Sequence, residues 1–272
     1  MKSNLVSKAA TQYRVLRKEL SQRFTSLGGV GDKRVLFVAG VQRSGTNMLM
    51  DVLERSHATA VYNESDPRAY QDYELIEARV PGIIEAARAP AVAFKVLCEL
   101  HDLRRMLDTY PGARAIWIYR RFDDVVNSHV VKWTGMPESV RLIVQEDREA
   151  AGWRGRGMSD ESHRELTSLY HPELDNPSAC ALFWMWRNQL FFDQALNGDP
   201  RVKLINYETF VRNPAGHFPA VFEFFGLQHR TEHSQFVSPR SIGKQQPPQI
   251  EAAVRERCEA LFERLNAAAW KL

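Results

Sequence analysis

Residues 35–54 read VLFVAGVQRSGTNMLMDVLE, and this stretch decides the fold. Residues 35–39 are a β-branched and aromatic run, the signature of a buried strand. Residues 40–45 form a loop with glycine at both ends. From Thr46 onward, Met48, Leu49, Val52 and Leu53 recur at helical spacing. A strand, a glycine-bounded loop and a helix in that order make a phosphate cradle. Free N–H groups of the loop and first helical turn converge on one spot, and the helix dipole favours an anion there. The spacing is GxxxxGT, where a Walker A loop would place Lys and then Ser or Thr. Thr46 occupies the lysine position. Arg43 inside the loop supplies a cation instead, as a planar fork suited to phosphate or sulfate. A glycine turn in an unrelated α/β fold is the bland alternative.

Working outward, residues 59–62 read as a second strand that ends in Asn63 and Glu64. Strand C-termini crowd round the ligand crevice of a parallel α/β sheet. Glu64 is therefore a candidate general base, against the alternative of a solvated loop acid. Residues 65–89 carry broken helical signals. Residues 91–97 form a third strand with Lys95 embedded in AVAFKVL. A lysine there is costly unless its ammonium meets a partner or ligand, or unless the strand is an edge that turns it to water. Residues 101–110 read as a helix and 114–119 as a fourth strand, which ends in Arg120 and Arg121 where a Walker NTPase often places a Mg²⁺-binding Asp. Asp123 is placed to cap the next helix. Ser128 and Lys132 follow Arg120 by eight and twelve residues. A bidentate cation, a hydroxyl and an ammonium together suit a phosphate monoester. Residues 201–206 complete the set. The fold class is α/β: a three-layer, P-loop-like fold with a central parallel sheet of about five strands flanked by helices.

The remaining stretches frame this core. The chain has 272 residues, 44% of them hydrophobic and 25% charged, enough for a sizeable core. A formal charge of +3 is too mild to imply nucleic acid. Cys98, Cys180 and Cys258 are too scattered for a disulfide framework or metal cluster. No apolar run approaches the ~20 residues that span a bilayer, and the N-terminus lacks a secretory core, so a reducing cytoplasm is the default compartment. Residues 1–31 read as a basic amphipathic helix and glycine joint. That helix would pack on the domain, on a partner subunit or peripherally on an anionic membrane surface. Residues 32–272 read as a single domain. Within it, about 134–175 is expected to be a mobile helical lid, with a helix near 138–151. A strong helix over 176–196 is capped by Asn176 and Pro177. Its Phe183, Trp184, Trp186, Phe191 and Phe192 exceed one buried stripe and leave one or two for an acceptor pocket. One more helix covers 218–225, a loop covers 229–246, and a last helix follows Pro247 and Pro248.

Taken together, residues 35–244 resemble the sulfotransferases that use 3′-phosphoadenosine 5′-phosphosulfate (PAPS), in the branch of protein-tyrosine and many bacterial sulfotransferases. The resemblance implies that QRSGTN holds the 5′-phosphosulfate through Arg43, Ser44, Gly45, Thr46 and Asn47. It implies that IYRRFDDVVNSHVVKW binds the 3′-phosphate through Arg120, Ser128 and Lys132. NYETFVRNP would place Tyr207 near the nucleotide, and SPRSIGK would close over the donor through Ser241 and Lys244. Glu64 lies 64 − 43 = 21 residues after Arg43, where such members carry a catalytic Glu. Lys95 matches their strand lysine near the transferred group. Two positions depart from the family: Arg121-Phe122 stands for a more usual Asp-Pro, and Asn47 for a frequent Thr or Ser. The implied chemistry is metal-free sulfuryl transfer to a hydroxyl or amine of a small molecule, glycan, lipid or peptide. Glu64 would be the base, with Arg43 and Lys95 on the leaving group, and His101 and His129 next in line as bases. The rival readings are a kinase-like phosphotransferase with a degenerate Walker loop, and a non-catalytic nucleotide-binding or membrane-surface module.

Overall fold

The computed structural model describes Lys18 and residues 33–272. In chain order the elements are β1 (Arg34–Ala39), α1 (Thr46–Glu54), β2 (Thr59–Tyr62), the hairpin β3 (Tyr70–Gln71) and β4 (Glu74–Leu75), α2 (Val80–Ala86), β5 (Ala91–Val96), α3 (Leu103–Thr109), β6 (Arg114–Tyr119), α4 (Phe122–Val130), α5 (Met136–Gln145), α6 (Asp160–Leu169), α7 (Asn176–Asp193), β7 (Val202–Asn206), α8 (Tyr207–Arg212), α9 (Pro214–Phe224), α10 (Thr231–Ser234) and α11 (Ala252–Ala268). The sheet order is β2-β5-β1-β6-β7. Every pairing within it is parallel.

The glycine-loop strand β1 sits at the centre, which explains its unbroken apolar run: both faces are covered. Val35, Phe37 and Ala39 join one core with Phe94, Trp117 and Tyr119. Leu36 and Val38 join the other with Ile116, Ile118, Leu49 and Phe222. The alternation is the two-residue period of a strand. It puts α7 on one face and α1 with α9 on the other, giving three layers. Helix α7 is apolar on nearly all sides because α4, α5 and α11 surround it. Phe183, Trp184, Trp186 and Phe191 are buried in that packing.

Several sequence expectations need correction. The cap of α7 is Asp175, whose carboxylate accepts from Ser178 N at 2.7 Å, so Asn176 is already helical. Helix α4 takes no side-chain cap; Asp123 pairs with Arg121 and Arg255 instead. Residues 70–75 form a hairpin, not helix. Its turn, Asp72 and Tyr73, has positive φ at both positions without glycine, so no turn residue announced it. Within the expected loop 229–246 lies the short α10. The stretch 135–172 folds into α5, a 3₁₀ segment (Arg148–Arg154) and α6. Met136, Val140, Ile143 and Leu166 fasten it to the main core. The basic helix expected over residues 1–31 lies outside the described residues, apart from Lys18, whose ammonium pairs with Glu54 at 3.2 Å. Among the described residues no helix is long and apolar enough to cross a membrane.

Candidate functional site

The C-terminal ends of β1, β2, β5 and β6 deliver the glycine loop, Glu64, Lys95 and Arg120 to one rim of the sheet. Gly45 at the N-cap of α1 has φ +107. A Cβ there would lie 2.2 Å from the Tyr207 ring. Only glycine allows both the backbone conformation and the aromatic wall. Among the described residues, the N–H groups of Gly45, Thr46 and Asn47 donate to no backbone carbonyl, as the first turn of a helix requires. Ser44 is fully buried and its hydroxyl has no partner among the described residues.

The glycine loop, the end of β6 and α4 share one cleft. Arg43, at φ 71, donates from Nε to Ser128 Oγ at 2.6 Å, bridging the glycine loop to α4. A cleft of about 280 Å³ is lined by Arg43, Arg120, Ser128, Lys132, Ser241 and Lys244, with Asp124 as its one carboxylate among the described residues. Four cations against one acid favour a multiply charged anion. Arg120 is held by Asp124 at 2.9 Å and by the Ser241 carbonyl at 2.5 Å. Its guanidinium carbon lies 4.7 Å from the centre of the Tyr207 ring. Tyr207 in turn exchanges a 2.5 Å hydrogen bond with Ser241 Oγ.

Beside the loop, Lys95 is 1% exposed on an interior strand, not an edge. Its ammonium donates to Glu64 Oε2 at 2.6 Å and to Asn47 Oδ1 at 2.5 Å. Burial pushes the Lys95 pKa down, the Glu64 charge pulls it up, and nearby Arg43 pushes it down again. Asn47 therefore fastens the loop helix to Lys95, a role that sequence reasoning did not assign. Tyr70, on the hairpin that the sequence hid, donates to the Lys95 carbonyl at 2.8 Å and fixes the end of β5.

Among the solved structures, the sulfotransferase domain of the curacin biosynthetic pathway superposes with a TM-score of 0.53 at 13% identity, over 85% of this chain and 98% of that one. The fold is that of the sulfotransferases. A sulfotransferase from Alicyclobacillus acidocaldarius also matches, with TM-score 0.48 and 19% identity over 86% of this chain and 92% of that one. A mouse sulfotransferase complexed with PAP matches with TM-score 0.44 and 12% identity over 84% and 74%. No family model and no curated protein sequence matches the chain.

The two histidines named as alternative bases do not line the cation cleft. His129 is 1% exposed, stacks on Trp133 at 4.4 Å, and donates from Nε2 to the Gln42 carbonyl at 3.0 Å. Burial drives its pKa down to about 3, so it stays neutral and holds the glycine loop. His101 is likewise pushed down, first by burial and then by Arg187. Arg121 turns away from the cation cleft to bind Glu259 at 2.6 Å. Phe122 is buried against Trp184. These two residues therefore shape the turn after β6 by packing.

Proposed function

We propose that the chain is a sulfotransferase that moves a sulfuryl group from PAPS to an acceptor hydroxyl or amine by in-line displacement. The observation that carries this reading is the convergence of two separate anion grips, Arg43 with its loop and Arg120 with Ser128, on one cleft next to the Lys95–Glu64 pair. The cleft fits a bisphosphorylated nucleotide in charge. Arg43, Ser44, Gly45, Thr46 and Asn47 would face the 5′ end. Arg120, Ser128 and Lys132 would face the 3′-phosphate. Tyr207, Ser241 and Lys244 would border the nucleotide.

In the transfer, a bond forms between the acceptor oxygen and sulfur while the bond from sulfur to the donor phosphate breaks. Glu64 takes the acceptor proton. Its Oε2 is held by Lys95, and its Oε1 carries no hydrogen bond among the described residues, which leaves an open acceptor atom. Lys95 and Arg43 lie on the side where negative charge grows on the departing phosphate oxygen. A desolvated ammonium beside a guanidinium stabilises such charge far better than water does. A sulfuryl group carries less charge than a phosphoryl group, so these cations suffice without a metal. The acceptor is a small molecule, a glycan, a lipid headgroup or a peptide side chain.

The test is mass spectrometry after incubation of the protein and PAPS with acceptors of those four kinds. Addition of SO₃ to one class is expected, and no adduct on any class together with no donor consumption refutes the reading. Glu64→Gln separates the base from the binding role. Turnover should fall about 10²–10⁴-fold with donor affinity nearly unchanged. Turnover within threefold of wild type removes Glu64 from the chemistry.

A further inference from the structure

Asp124 lies where Arg120 meets the late loop. Its Oδ2 accepts from Arg120 Nη2 at 2.9 Å, and both of its oxygens are 3.2 Å from the Gly243 amide nitrogen. The side chain is only 11% exposed. It lines the cation cleft and also, across the loop, a second cleft of about 710 Å³. One carboxylate thus takes a guanidinium N–H and a loop amide, the pair of donors a phosphate would take. The same loop is pinned by Arg120 to the Ser241 carbonyl, by Tyr207 to Ser241 Oγ, and by Asn127 Nδ2 to the Gln246 carbonyl at 3.0 Å.

The geometry points to Asp124 as an internal stand-in for the donor's 3′-phosphate: a latch that holds Arg120 and the Gly243 amide until the nucleotide displaces it. This deepens the donor reading and rests on it. A carboxylate and a phosphate cannot share the same two donors, because like charges would meet at contact distance. In this proposal the 3′-phosphate takes those same donors and moves Asp124 aside, and the apparent affinity falls by the fraction of molecules still latched. A ligand without a 3′-phosphate gains nothing by displacing the carboxylate. The latch consequently sharpens selection for 3′-phosphorylated nucleotides, and Asp124 acts as a positioning residue, not a catalytic one.

Asp124→Asn keeps the shape and removes the charge. Asp123→Asn is the control, since Asp123 binds Arg121 and Arg255, not Arg120. Two measurements on the full chain test the latch. In hydrogen–deuterium exchange without nucleotide, the peptide covering residues 241–247 should exchange at least fivefold faster in Asp124→Asn than in wild type or in the control. In titration calorimetry, Asp124→Asn should bind 3′,5′-ADP about tenfold more tightly, with no gain for 5′-AMP. Unchanged exchange overturns the latch whatever the nucleotide does. Faster exchange with weaker 3′,5′-ADP binding also overturns it, because Asp124 then aligns Arg120 for the phosphate. If neither wild type nor variant binds 3′,5′-ADP, the donor reading falls and the stand-in role falls with it, and the exchange comparison separates that failure from loss of the loop contact. Asp124→Ser takes the place of the amide variant if the latter does not fold.

Discussion

Acidification should loosen the glycine loop through His129. The imidazole is packed between Trp133 and Phe183 and donates to the Gln42 carbonyl inside the loop. Burial lowers its folded pKa from 6.5 to about 3. The unfolded chain therefore binds a proton that the folded chain refuses throughout that window. The sign follows: the unfolded state holds more protons between about pH 3 and pH 6.5, so stability rises with pH there and is lost as pH falls. Integrating the linkage for this one group gives a loss of about 2 kcal/mol between pH 7 and pH 5. For a domain of this size that is roughly 4–8 °C in Tm. His233, pushed down to about 4, adds a slope of the same sign, so the comparison must isolate His129. His129→Gln keeps a donor for the Gln42 carbonyl and cannot titrate. Differential scanning calorimetry of both proteins from pH 7 to pH 5 should show the variant losing about 4–8 °C less than wild type over that interval, whatever its starting Tm. Parallel curves would refute the assignment of a neutral, buried His129 as the fastener of the loop.

Further outcomes follow from the same geometry. Lys95→Met should lower turnover roughly 10²–10³-fold through loss of leaving-group stabilisation. It should also lower Tm, because removing the ammonium leaves the largely buried Glu64 carboxylate and Asn47 Oδ1 without their shared partner. Steady-state kinetics and calorimetry check the two halves. Gly45→Ala forces a Cβ into the Tyr207 ring at a positive φ, a backbone cost of about 1–2 kcal/mol before any overlap is counted. Titration with 3′,5′-ADP should show at least a tenfold loss of affinity. Arg120→Ala and Ser128→Ala should weaken 3′,5′-ADP roughly ten- to a hundredfold and about threefold or more, respectively, since the first removes a cation paired with the phosphate and the second only an uncharged hydroxyl donor. Unchanged affinity in both would remove the 3′-phosphate grip.

The parts of the fold that announced themselves are those whose physics is local. Residues 35–39, 91–96 and 114–119 lie inside the sheet and are largely buried on both faces, so each reads as a mostly apolar run, and the observed strands, with the edge strand at 59–62, match those runs closely. The hairpin at 70–75 was illegible because two-residue strands have no period, and its Asp72-Tyr73 turn lacks the usual glycine. The 3₁₀ segment after α5 carries a left-handed Gly152 inside it, which no helical periodicity would suggest. At the site, residues flagged by spacing, the cations Arg43, Arg120 and Lys132 with the hydroxyl of Ser128, line one cleft, because the parallel strands end on the same rim. What could not be read were pairings set by tertiary approach: Asn47 turned toward Lys95, His129 toward Gln42, and Asp124 toward Gly243. Asp124 sits four residues after Arg120, in the first turn of the helix that Arg120 leads into. That spacing was the one available hint of their pairing.

The central claim is that two anion grips, one for each end of a bisphosphorylated nucleotide, meet in a single cleft. Titration calorimetry of the wild-type chain against 3′,5′-ADP, 5′-AMP and ATP with Mg²⁺ tests it most directly. Binding of 3′,5′-ADP without metal, at least tenfold tighter than 5′-AMP and tighter than ATP with Mg²⁺, is the predicted result. Equal affinity for 3′,5′-ADP and 5′-AMP, or binding of ATP with Mg²⁺ alone, would contradict it.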